Sequence, residues 1–299
     1  MTVSRRSALA WLVATSGAAA LTACAGPPSP TTALSSATPP GPTPVRPRPT
    51  PSASTTPLAA EVVPDLAAIE ARFRDATPEE WGLHVTGVVN RAPEGATGIT
   101  LTLDGCGGSG GDRADLSLID GLRAREIPAT LFLNLRWIET NRVLAEELVA
   151  VPFFELANHG CAHRPLSVNG RSAYGIEGTS SVAEVIDEVW SNHVALTQLT
   201  GRAPRWFRSG TAHYDEVAVQ IVQELGETVV GFDVNGDAGA TFDAASVEDA
   251  LLSAVPGSII IAHLNQPSSG TAGGIERAVD RMLERGDVFG FPDGATTPP

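Results

Sequence analysis

From residue 99 onward, short apolar runs rich in β-branched and aromatic residues alternate with longer stretches in which apolar positions recur at helical spacing. The runs are 99–104 (ITLTLD), 129–134 (ATLFLN), 153–158 (FFELAN), 205–208 (RWFR), 228–233 (TVVGFD) and 258–263 (SIIIAH). Their length and composition predict strands. Between them, residues 115–125, 141–150, 181–200, 215–225, 247–254 and 275–285 carry the helical pattern. Repeated strand-then-helix order implies a parallel sheet with helical crossovers. The number of units fitted into the available length predicts an α/β fold, a distorted or incomplete (β/α) barrel of about 7 parallel strands, with an open doubly wound sheet as the alternative.

The pattern ahead of residue 99 is different. Ser4-Arg-Arg-Ser7 is followed by an apolar stretch from Ala8 to Leu21 and then by Leu21-Thr-Ala-Cys24. About 14 apolar residues cannot cross a hydrocarbon core of ~30 Å as a helix, so residues 1–23 read as an export signal. Arg5-Arg6 is similar to a twin-arginine signal, and Leu-Thr-Ala-Cys to a lipobox, which makes Cys24 a lipidation site. Residues 24–57 hold 11 of the 23 prolines and no acidic residue. So little apolar surface cannot offset ordering entropy, and the segment reads as an extended tether. Residues 58–95 predict a short helical lead-in, including a helix start at Thr77-Pro-Glu-Glu80; 96–292 form the main domain and 293–299 a tail. The expected location is the outer face of the cell membrane, reached only through the lipid.

Charge narrows the partners. The chain has 20 basic and 34 acidic residues, and four arginines (Arg5, Arg6, Arg46, Arg48) precede residue 58, so the body sets 16 arginines against all 34 acids, a balance of −18. Such a surface excludes nucleic acid as a ligand and offers nothing to anionic lipid. Oligomeric state is not encoded in any readable pattern.

Polar residues fall at telling places on the scaffold. Asp104, the Asn158-His159 pair, Arg208, Asp233 and His263 each stand at the carboxyl end of a predicted strand, the rim where parallel sheets and barrels do their chemistry. Asn158-His159-Gly-Cys-Ala-His163 places two imidazoles four residues apart, a spacing that lets both reach one ion. His193 continues the apolar stripe of 181–200 and reads as half-buried packing or surface, whereas His213, on the loop after Arg208, is a candidate substrate contact.

The ordered series resembles the polysaccharide deacetylase (NodB-like) family of carbohydrate esterases. Five segments carry the resemblance: Thr102-Leu-Asp104-Gly-Cys106, similar to the family's TFDDG; His159 to His163, its HxxxH; Phe207-Arg208-Ser-Gly-Thr211; Phe232-Asp-Val-Asn-Gly-Asp237; and Ile261-Ala-His263. The resemblance implies metal-dependent hydrolysis of N-acetyl groups from an amino-sugar polysaccharide, with a divalent cation, zinc first, held by His159 and His163. It implies Asp104 as general base, Arg208 as the group that orients it, His263 as general acid, and Asp237, or Asp233 in second place, as the partner of His263. Thr211 falls where a backbone N–H would help hold the oxyanion. Gly105 stands where the family has a metal-binding aspartate. Cys106 is a candidate replacement, with Asp104 itself, Asp112 or Asp115 further along the chain, or water alone, as alternatives. Cys106 and Cys161 also fit a disulfide in an exported protein, or two separate thiols. Two other functions share the scaffold: a glycan-binding lipoprotein without catalysis, and an O-acetyl polysaccharide esterase.

Overall fold

The computed structural model describes residues 63–297. The export signal, Cys24, the tether and the first residues after it lie outside the described residues. No helix among the described residues is long and apolar enough to cross a membrane.

After helix α1 (Leu66–Phe73), the chain alternates as β1 (Gly98–Gly105), α2 (Leu116–Ala124), β2 (Ala129–Leu133), α3 (Leu135–Thr140), α4 (Arg142–Val149), β3 (Phe154–Asn158), α5 (Val182–Thr200), β4 (Trp206–Phe207), α6 (Glu216–Glu224) and β5 (Thr228–Val229). It continues through β6 (Val234–Asn235), α7 (Ala244–Leu252), β7 (Ile259–His263), α8 (Thr271–Glu284) and β8 (Val288–Gly290). Every named strand pair is parallel, in the order β5-β4-β3-β2-β1-β7-β6, with β8 paired to the start of β1. β5 and β6 are opposite edges, yet only residues 230–233 separate them in sequence. Five residue steps reach about 18 Å at most, so the sheet must curl until its edges nearly meet. Residues 89–92 span the remaining gap: Val89 bridges Val230, and Arg91 bridges Ser258. The result is the incomplete barrel that the alternation predicts.

Each predicted run overlaps a strand, but β6 and β8 are too short and irregular to show a pattern, and α3 has no counterpart among the predicted helices. Thr77-Pro-Glu-Glu80 forms no helix. The Glu79 and Glu80 backbone N–H groups instead donate to the Glu216 carboxylate at 2.6 and 2.8 Å, which ties the lead-in to the start of α6.

Alternation along β1 divides the interior. Ile99, Leu101 and Leu103 pack outward with Leu118, Leu122, Ile275 and Met282 in the layer between sheet and helices. Thr102 and Asp104 take the inner face, as the period of two requires. All eight β1 residues are buried, as expected of a central parallel strand covered on both faces. Polar N-caps fix where the helices begin: Asp115, Ser181, Asp215 and Asp243 each accept a backbone N–H from the first turn.

Candidate active site

Register places the chemistry. Asp104 on β1 is paired with His263 on β7, and Asn158, at the end of β3, lies beside Leu133 on β2 and Phe207 on β4. Asp104 and His263 therefore leave one pair of neighbouring strands, and His159 and Arg208 another, at the same rim, with β2 between the pairs. At that rim lies a cavity of about 740 Å³ whose lining includes Asp104, Cys106, His163, Tyr174, Thr211 and His263.

Arg208 is fully buried and donates to Asp104 Oδ1 at 2.8 Å, Thr102 Oγ1 at 2.7 Å, the Gly231 carbonyl at 2.8 Å and the Val230 carbonyl at 3.1 Å. Its guanidinium also lies over the Phe132 ring, 4.2 Å from the centroid. Burial alone would raise the Asp104 carboxyl, but Arg208, with His159 and His263, outweighs it and holds Asp104 below the usual aspartate range. Asp104 is thus ionised and fixed, as a base must be.

His263 is set in the same manner with the opposite sign. Its Nδ1 lies 2.9 Å from Asp237 Oδ1, and Asp237 also accepts the His263 backbone N–H at 2.8 Å and the Thr271 hydroxyl at 3.0 Å. Burial would depress the imidazole, but Asp237 and the neighbouring Cys106 sulfur hold it well above its ordinary value. Asp233 does not share this role. Its carboxylate accepts the Ile259 N–H at 2.7 Å and pairs with Arg91, at the opposite end of β7 from His263. The expectation that Asp233 serves His263 or substrate is corrected: it closes the bottom of the barrel, because the chain must cross from β5 to β6 there.

His159 Nδ1 donates to the Arg208 carbonyl at 2.9 Å, and Nε2 lies 3.7 Å from Asp104 Oδ2. Tight turns bring His163 back to it. Gly160 has φ +73° and His163 φ +60°, and the two rings stand edge to face at 5.1 Å. Glu188 on α5 pins this loop by accepting the N–H groups of Ala162 and Arg164 at 2.9 and 3.2 Å. Asn134, at the end of β2, donates to the carbonyls of His159 and Gly160, both at 2.9 Å. Nε2 of His159 and of His163 are both buried with no hydrogen-bond partner. Ligand atoms of Cys106, His159 and His163 all lie within 4.8 Å of one another. Orphaned imidazole nitrogens facing a thiol fit a divalent cation, and buried nitrogens without partners are costly otherwise.

The remaining predictions separate. The Cys106–Cys161 disulfide is not formed: both thiols are free, and Cys161 Sγ is turned to Glu188 Oε2 at 3.3 Å, in surroundings that push its pKa up to about 12. Asp115 caps α2 and Asp112 is exposed, so neither joins the imidazoles. Thr211 lines the cavity, its hydroxyl buried and unpartnered. His213 does not reach the base and acid; it packs against Tyr174 at 5.1 Å and Trp81 at 6.0 Å, with Nδ1 donating to the Thr211 carbonyl. His193 is fully buried and bonded to Glu227 at 2.7 Å. Glu188 and Asn134 carry no sequence signal of their own beyond a charge inside a helical apolar stripe and a polar residue at a strand end.

The polysaccharide deacetylase family profile matches residues 92–230. No curated protein matches in sequence. Among solved structures, a wild-type family 4 carbohydrate esterase pseudoenzyme from Bacillus anthracis aligns at 20% identity and TM-score 0.55, over 66% of this chain and 64% of that one. This chain thus spans just under two thirds of that pseudoenzyme. A family 4 carbohydrate esterase from Bacillus subtilis aligns at 18% and 0.57, over 76% and 87% of the two chains. One from Streptomyces lividans, solved with acetate, aligns at 21% and 0.54, over 65% and 92%. At these identities the likeness establishes the shared fold.

Proposed function

We propose, from the match of residues 92–230 to the polysaccharide deacetylase family profile, that this chain removes acetyl groups from an acetylated glycan at the rim formed by Asp104, His159, His163 and His263. The observation that carries the reading is the matched pair of set groups. Asp104 is held ionised by Arg208 and His263 is held protonated beside Asp237, both at the mouth of one cavity. A binding surface has no use for a base and an acid tuned in opposite directions; acyl transfer to water needs both.

His159 and His163 would hold the cation, zinc first among the candidates. When bound, it would polarise the acetyl carbonyl and ease deprotonation of the attacking water. Asp104 removes the proton from that water, and Arg208 keeps the carboxylate oriented and charged as the proton arrives. His263 delivers a proton to the departing amine; Asp104 then releases to solvent the proton it took, and His263, kept basic by Asp237, takes one up from solvent. The loop at Thr211 borders the cavity where the tetrahedral oxyanion would form, so its polar groups are suited to stabilising that charge. The cavity is large enough for a sugar unit.

The finer reading is an N-acetylated amino sugar in a cell-wall glycan, acted on outside the membrane by a protein exported and anchored through Cys24. The N-terminal pattern of residues 1–57 supports that location. A non-catalytic glycan-binding role is the second reading, favoured by Gly105 at the place of a family metal ligand and by the likeness to a pseudoenzyme. Acetate release decides between them. Purified chain, stripped of metal and titrated with zinc, is given N-acetylated cell-wall oligomers, chitin oligomers and O-acetylated xylan. Metal-dependent release that disappears in Asp104→Asn supports hydrolysis and ranks the substrates. A folded, metal-loaded protein that releases nothing from any of them moves the assignment to the binding role.

A further inference from the structure

Gly105 removes an expected ligand, and the phase of β1 decides where a replacement can come from. A Cβ at Gly105 would lie 3.1 Å from Leu133 Cδ2, 3.3 Å from Trp137 Cδ2 and 3.4 Å from Leu264 Cδ1. A side chain at this position therefore points into the apolar packing between sheet and helices, away from the imidazoles. Cys106, one residue on, takes the phase of Asp104 and lines the same cavity. Its sulfur is the remaining member of the Cys106, His159, His163 cluster. His159 is 1% exposed, and its unpartnered Nε2, like that of His163, is an independent sign that a ligand belongs between these groups.

We propose that Cys106, as a thiolate, is the third protein ligand of the cation, giving a two-nitrogen, one-sulfur centre in which sulfur replaces a carboxylate. This rests on the metal-dependent reading above and refines it. Cys161 Sγ is turned to Glu188 Oε2 at 3.3 Å and is not a member of this cluster. A thiolate in the set favours zinc or cobalt and disfavours the hard cations magnesium, calcium and manganese. It also makes thiol modification and metal loading mutually exclusive, because the lone pair that binds the ion is the one that attacks an electrophile.

The test reads the metal and the thiol directly. Metal-free full-length chain is titrated with cobalt(II), zinc(II) and manganese(II). In parallel, cysteines are alkylated with iodoacetamide, whose iodide the thiolate displaces, and mapped by peptide mass spectrometry. The expected results are a near-ultraviolet thiolate-to-cobalt absorption, lost in Cys106→Ser and kept in Cys161→Ser, and protection of Cys106 alone by zinc. Zinc affinity in Cys106→Ser should fall by more than about 10-fold, the loss already typical of an outer-shell change. Gly105→Asp added to Cys106→Ser should recover none of it. If zinc binds to the wild-type chain and binding is lost in His163→Ala, yet Cys106 is alkylated equally with and without zinc, the cysteine assignment falls while the metal centre stands. If no cation binds to folded wild-type chain, both fall.

Discussion

Replacing Arg208 with methionine isolates the buried charge on which the base depends. The substitution keeps most of the side-chain volume but leaves the Asp104 carboxylate, the Thr102 hydroxyl and the carbonyls of Val230 and Gly231 without their donor. Removing one member of a buried ion pair costs about 3–5 kcal/mol. For a folded body of this size that corresponds to a fall in Tm of roughly 6–20 °C. The pH dependence has a definite sign. In the wild type Asp104 titrates below its unfolded value, so its contribution to stability is full above that value and is lost as pH falls through the folded pKa. In Arg208→Met burial is no longer outweighed, the folded pKa rises, and the ionised form is the destabilised one. The deficit relative to wild type therefore narrows on acidification. Urea denaturation of both proteins, metal-free, followed by tryptophan fluorescence at about pH 7.5 and about pH 5, measures it directly. A deficit under about 1 kcal/mol, the value of an exposed pair, or one equal at both pH values, would refute the reasoning.

Two further perturbations test the acid and the metal loop. Asp237→Asn removes the partner that keeps His263 protonated, so the alkaline limb of kcat/KM, where activity is lost as His263 deprotonates, moves to lower pH; an unmoved limb in a pH–rate profile would show that another group is the acid. Glu188→Gln turns an amide N–H₂ toward the donors of Ala162 and Arg164; the expected cost is about 1.5–3 kcal/mol in stability and about 10–100-fold in zinc affinity. Calorimetric titration giving wild-type affinity would mean that His163 is held by other means.

Five strand-end residues were legible because a rim residue follows its apolar run at once: Asp104, His159, Arg208 and His263 proved neighbours, while Asp233 did not. The difference lies in where the run ends in space. β5 stops at Val229, and the chain crosses beneath the barrel before β6, so Asp233 ends a run of sequence but not a strand. The stripe alone places His193 at half-buried or surface positions; in the fold it is buried, bonded to Glu227, which is distant in sequence.

Hydrophobic period and strand polarity are local properties, so the order of strands and helices, hence the parallel sheet, and the chemical types available at its rim are legible along the chain. Which of those types meet is set by long-range packing. Curling of the sheet brings edge strands together, and Glu188 and Asn134 close the histidine loop from other elements. The pleat of β1 turns Gly105 toward the core and Cys106 toward the imidazoles. Each of these depends on contacts between residues far apart in the chain, which no local pattern records.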